Sequence, residues 1–109
     1  MDKYVHFIYR ISKKFPKDEI YNLTSQIKRA TLSIVLNYIE GYARNRQLVR
    51  LNFLETSFGS LKESKYLLYF SLVEKFTDKD EYCTGLKLAE EISAMLWTEI
   101  NHLEKSINK

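Results

Sequence analysis

The sequence predicts an all-α fold, an antiparallel up-down-up-down four-helix bundle. Three observations support this. Apolar residues recur every three or four positions through four segments. Only three glycines and one proline interrupt 109 residues, so long unbroken elements are favoured over many strands joined by turns. The connections between the periodic segments are short, which sets successive helices side by side and antiparallel. The length suits a single domain over residues 1–109, and a 45% hydrophobic content allows a core without disulfides or metals.

The first helix is expected over about residues 2–14. Val5, Ile8, Ser12 and Phe15 mark its stripe, widened by Tyr4, Phe7 and Ile11. Pro16 ends it, because proline disfavours helix at the residue before it and cannot donate to the preceding turn. The second helix is expected over about 24–41, with Leu23, Ile27, Ala30, Ile34 and Asn37 on one face. Leu32, Val35, Leu36 and Ile39 make it apolar on other faces too, so a second surface, another subunit included, is expected to cover it. Gly41 reads as its stop signal.

The third helix is expected over about 47–75, with Leu51, Leu54, Phe58, Leu61, Leu68, Leu72 and Phe76 as its stripe. Gly59 falls in its middle, where glycine costs about 1 kcal/mol against alanine; it reads either as a close approach of another helix or as a tolerated glycine. The fourth helix opens on Thr77 as cap, with Asp80 three residues on. Its seam of Tyr82, Leu86, Ala89, Ser93, Leu96, Ile100, Leu103 and Ile107 alternates by four and three.

A lone cysteine, Cys83, forms no internal disulfide and fits a reducing compartment. Met1-Asp2-Lys3-Tyr4 does not open a signal peptide, and the longest apolar stretch, Tyr66 to Val73, is broken by Ser71. That stretch is far short of the ~20 residues of a spanning helix. The expected location is the cytoplasm, with no membrane partner.

No catalytic, cofactor or metal site is expected. A di-iron bundle needs two Glu-x-x-His motifs and two further glutamates. Glu99 and His102 supply one, and the only other histidine, His6, lacks a glutamate three residues before it. Cys83 has no neighbour that would activate it as a nucleophile. Glu40 stands three residues after Asn37 and Glu63 three after Ser60. If helices two and three pack antiparallel, these four residues are expected to meet inside the bundle as a structural polar network. A catalytic acid–base pair of Glu40 and Glu63 is the rival reading, without a nearby nucleophile or cofactor cradle to complete it.

Charge points to an anionic partner. Residues 1–65 carry twelve Lys/Arg against six Asp/Glu, whereas residues 66–109 carry five against eight. Lys13, Lys14 and Lys17 lie near the first turn, Lys28 and Arg29 on helix two, and Arg44, Arg46 and Arg50 around the second turn beside Tyr42. Lys28, Arg29, Arg44, Arg46 and Arg50 are the candidate nucleic-acid-binding residues, reading phosphate rather than base sequence. The alternatives are a merely solvated rim and a protein–protein adaptor with no nucleic-acid role.

Three motifs resemble a known family. The stretch from Phe15 to Ala30, then Ser33-Ile34 with Asn37-Tyr38-Ile39-Glu40-Gly41 and Arg44, then Gly59-Ser60-Leu61-Lys62-Glu63, resembles the 23S rRNA intervening-sequence proteins. The resemblance covers about residues 15–75. It implies a four-helix bundle that assembles as a homo-oligomer, in known relatives a pentamer. It also implies a relation to the accessory variability-determinant proteins of diversity-generating retroelements, which are basic and pentameric and bind nucleic acid and a reverse transcriptase. It brings no catalytic residue. The chain departs from the pattern in its short first helix, which lacks the usual tryptophan, and in Arg50, where the family often has an apolar residue.

Overall fold

In the computed structural model, which describes residues 1–108, four helices and one short turn of 3-10 helix account for nearly the whole chain. Helix α1 spans Asp2–Ser12, α2 Leu23–Tyr42, α3 Gln47–Val73 and α4 Lys79–Ile107; the 3-10 turn is Lys17–Glu19. Cross-helix partners set the directions. Ser33 meets Ser60 and Ile34 meets Ser57, so α2 and α3 are antiparallel. Phe58 meets Trp97 and Gln47 meets Ser106, so α3 and α4 are antiparallel as well. Helix α1 packs on α2 and α4, and α2 and α4 lie diagonally across the bundle.

Most of the core comes from the predicted stripes, with Ile92 in place of Ser93 on α4 and Phe58, Phe76, Tyr82, Leu103 and Ile107 only partly buried at its edge. Tyr4, Phe7, Ile8 and Ile11 of α1 pack with Leu23, Ile27, Ala30 and Ile34 of α2, Leu54, Leu61 and Leu68 of α3, and Ala89, Ile92, Leu96 and Ile100 of α4. Interleaved with the α3 leucines are Ser57, Ser64 and Ser71, seven residues apart and all fully buried. Each hydroxyl is satisfied. Ser57 donates to the Ile34 carbonyl of α2 at 2.7 Å. Ser64 donates to Leu61 O at 2.7 Å and pairs with the Tyr4 phenol at 2.9 Å. Ser71 pairs with Thr77 at 2.7 Å. Burial pushes the Tyr4 phenol up from 10.0 to about 12, against the bond from Ser64, which lowers it.

Three local readings change in three dimensions, and the open one at Gly59 resolves to a tolerated glycine. Thr77 is not the cap of α4. It is buried against Ser71, and Asp78 caps instead, accepting from Glu81 N at 2.8 Å while the Glu81 carboxylate accepts from Asp78 N at 3.1 Å. Gly41 does not stop α2. The helix runs through it to Tyr42, and its bare Cα instead lets α3 approach; a Cβ there would stand 3.1 Å from Phe53 Cβ. Gly59 faces open space, and the other close approach is at Gly85, where a Cβ would meet Leu68 at 2.9 Å and Phe7 at 3.0 Å. Helix α3 ends at Val73, two residues early, because Lys75 turns into the left-handed region at φ 65.

Helix α1 has 11 residues against 29 in α4, so it covers only part of the bundle. Met1 lies over the middle of α2 and α4, beside Val35, Tyr38, Ile92 and Met95. Beyond it three helices continue alone, and the gap between α2 and α4 is an open groove lined by Tyr38, Ile39, Tyr42, Ala43 and Glu99.

Candidate nucleic-acid interface at the three-helix end

The α2–α3 turn holds the arginines that the sequence singles out, and they do different things. Arg50 points back across the turn. Its Nε donates to Gly41 O at 3.3 Å and its Nη2 to Arg44 O at 2.8 Å, while its guanidinium lies 4.9 Å from the Tyr42 ring centroid. Gly41 O also accepts from Arg44 N at 3.2 Å, so Arg50 adds a second bond there and offsets the negative end of the α2 dipole. Arg44 forms an i,i+4 ion pair with Glu40 and lies over Phe53 at 5.4 Å. Arg46 occupies the N-cap position of α3, is exposed, and places no side-chain bond on the first amides of that helix.

Lys28 and Arg29 stand elsewhere. Lys28 covers the Tyr9 ring at 5.0 Å, and Arg29 is exposed beside it in sequence. At 1.5 Å per residue, Lys28 is about 24 Å up the helix from Arg44. The five candidates therefore form two separate basic stations rather than one patch.

The four residues expected to share an interior network are divided within this chain. Asn37 donates to Ser33 O at 2.8 Å and to Ser33 Oγ at 2.9 Å, and Ser33 Oγ bonds Ser60 Oγ at 2.8 Å. That part joins α2 to α3, with Ser33 as the link the spacing argument missed. Glu40 turns outward to Arg44, and Glu63 lies on the exposed face of α3. Three residues advance a helix by less than a full turn, so each carboxylate is rotated away from its polar neighbour's seam.

A carboxylate that the sequence marks only through the incomplete Glu99–His102 pattern sits at the centre of this end. Glu99 of α4 accepts from Tyr38 at 3.0 Å on Oε1 and 3.1 Å on Oε2, and Tyr42 also donates to Oε1. The two tyrosine rings tilt against each other with centroids 5.0 Å apart. Burial first, then the Glu99 bond and charge, raise both phenols above their ordinary 10.0, so both stay protonated donors at neutral pH. The i,i+4 spacing of Tyr38 and Tyr42 was the available signal; their partner comes from the diagonal helix and has no local signature. Beside this group a cleft of about 290 Å³ is lined by Tyr42, Gln47, Arg50, Glu99, His102, Leu103 and Ser106.

Among the described residues, no three His, Cys, Asp or Glu side chains are placed to hold a metal ion. No helix among them is long and apolar enough to cross a membrane.

Comparison with known proteins places this architecture. No curated protein sequence matches the chain. Its fold is similar to that of a Bacteroides thetaiotaomicron protein of unknown function from the S23 ribosomal protein family, with a TM-score of 0.77 and 24% identity over 91% of this chain and 95% of that one. Residues 2–98, from the start of α1 to Thr98 in α4, match the 23S rRNA-intervening sequence protein family. The chain belongs to the 23S rRNA-intervening sequence protein family.

Proposed function

We propose that this chain is a non-enzymatic, cytoplasmic helical bundle that self-associates and binds RNA or DNA through phosphate. The observation behind the binding reading is the α2–α3 turn. There Arg46 stands exposed at the uncapped start of α3, with Arg44 and Arg50 on either side. Exposed guanidinium groups and helix-start amides are the donors that phosphate oxygens accept. Lys28 and Arg29 provide a second station, which suits an extended strand spanning both. Such binding is backbone-led and falls steeply with salt.

The self-association reading rests on α2. Leu32, Leu36 and Ile39 are 40, 61 and 59% exposed and follow helical spacing along one outer face. A contiguous apolar face of this kind marks a surface that another protein covers. A second copy is the occupant we favour, in a ring of five as the family resemblance implies. The adaptor reading is the rival, in which a different protein covers this face and nucleic acid has no role.

Titrating nuclease-treated protein with RNA and DNA at low and near-physiological salt tests the binding reading. Micromolar or tighter binding that weakens steeply with salt supports it. Absence of binding at low salt rejects it and leaves the adaptor reading. Sedimentation of the pure protein tests self-association, and a monomer at high concentration rejects it.

A further inference from the structure

We propose that the outer face of α2 docks on the C-terminal face of α3 in a second copy, so that the contact between copies is head-to-tail. This rests on the self-association reading and names the other half of its interface. Tyr66, Tyr69, Phe70 and Val73 are 63, 51, 37 and 55% exposed and follow i, i+3, i+4, i+7 spacing on α3. They form an apolar face on a different helix from Leu32, Leu36 and Ile39. Each face runs two helical turns, about 10 Å, so the two match in length. Clustered exposed aromatic rings are the usual centre of a protein interface. Tyr69 is held in place by the Tyr82 ring of α4, with centroids 6.4 Å apart, so little order is lost on docking.

Charge selects this pairing over α2 against itself. Arg29 extends the α2 face one turn before Leu32, and Glu74 extends the α3 face just past Val73. Both are exposed, and neither is in an ion pair among the described residues. Glu74 occupies the C-cap of α3, the negative end of that helix dipole, where a carboxylate is locally disfavoured and a cation from outside offsets it. Set antiparallel, α2 of one copy and α3 of the next bring Leu32 to Val73, Leu36 to Phe70, Ile39 to Tyr66 and Arg29 to Glu74. A two-fold contact of α2 with α2 instead brings Arg29 against Arg29 when the helices are parallel, or toward Arg44 when they are antiparallel. Like charges oppose both arrangements, and the aromatic face of α3 stays uncovered. Each copy carries both halves of the head-to-tail contact, which forms a ring where its rotation closes. Arg29 then belongs to the rim of this contact, and the second basic station narrows to Lys28.

The test is sedimentation of the full chain and its variants over a range of concentrations, with native helicity checked by circular dichroism. Tyr66→Asp is expected to be a monomer where the wild type assembles. Arg29→Glu and Glu74→Arg are each expected to weaken association about tenfold, and the double variant to recover it. Wild-type assembly by Tyr66→Asp overturns the head-to-tail pairing and leaves self-association standing. Tighter association of Arg29→Glu, with Glu74→Arg unchanged, overturns it in favour of α2 against α2. A double variant that stays as weak as the single ones overturns the Arg29–Glu74 contact. A monomeric wild type at high concentration overturns both this pairing and the self-association reading.

Discussion

Tyr38 on α2 donates its phenol proton to Glu99 on α4 at 3.0 Å, joining two helices that lie diagonally across the bundle. Where α1 is present, it fills the space between them. Where α1 is absent, the carboxylate and two phenols bridge the gap. Tyr38→Phe is expected to lower stability by about 1 kcal/mol, below the usual range for bonds to charged groups because the site is partly solvated. Chemical denaturation of the variant checks this, and an unchanged midpoint would show the bridge to be ornamental.

Tyr4 gives the fold a distinct alkaline response. Its phenol is raised from 10.0 to about 12 in the folded state, chiefly by burial. A folded pKa above the unfolded one contributes stability below the unfolded value and loses it as pH rises through the folded one. Wild-type stability is therefore expected to fall between pH 10 and about 12. Tyr4→Phe should fall less steeply over that window, with Tyr38 and Tyr42 leaving a residual slope. Denaturant midpoints taken across the window measure the difference.

The glycines separate by what surrounds them. Gly59→Ala meets open space in the interior of α3 and should stabilise by about 1 kcal/mol through helix propensity. Gly85→Ala puts a methyl group within 3.0 Å of Phe7 and Leu68, and should destabilise despite the same propensity gain. Opposite shifts in Tm are the expected result.

The caps of α4 make a sharp local test. Asp78→Ala removes the side chain that accepts from Glu81 N and should cost about 1 kcal/mol. Asp80→Ala, the partner that the Thr77 reading would require, should change stability by no more than a few tenths of a kcal/mol, because it makes no cap bond. Thermal melts of the two variants distinguish the caps.

The arginines of the α2–α3 turn should separate binding from folding. Arg46→Ala is expected to weaken RNA or DNA binding and reduce the salt slope by about 1, with Tm unchanged. Arg50→Ala should lower Tm as well, because it removes the side-chain donor to the Arg44 carbonyl and a second donor to Gly41 O. Equal binding by Arg46→Ala and wild type would remove that residue from the interface.

Periodicity alone determined the number of helices, their order and most of the core. A 3.6-residue repeat records which face of a helix avoids water, and Ile8, Ile27, Leu61 and Leu96 declare that face without knowledge of any neighbour. The arginines of the α2–α3 turn were equally legible, since the turn is local. Tertiary structure decided whatever depends on a distant partner. Ser57, Ser64 and Ser71 are polar residues beside a leucine stripe, yet they are core because other residues supply their bonds. Thr77 loses the cap to Asp78 because Ser71 holds its hydroxyl inside. Gly41 lies inside a helix and makes room for Phe53 of α3 rather than stopping the chain. Glu40 and Glu63 face outward while Glu99, which the sequence offered only as half of an incomplete metal pattern, gathers two tyrosines from across the bundle. Side-chain rotation about a helix axis is written in the chain, but the identity of the group that rotation meets is fixed only when the helices pack.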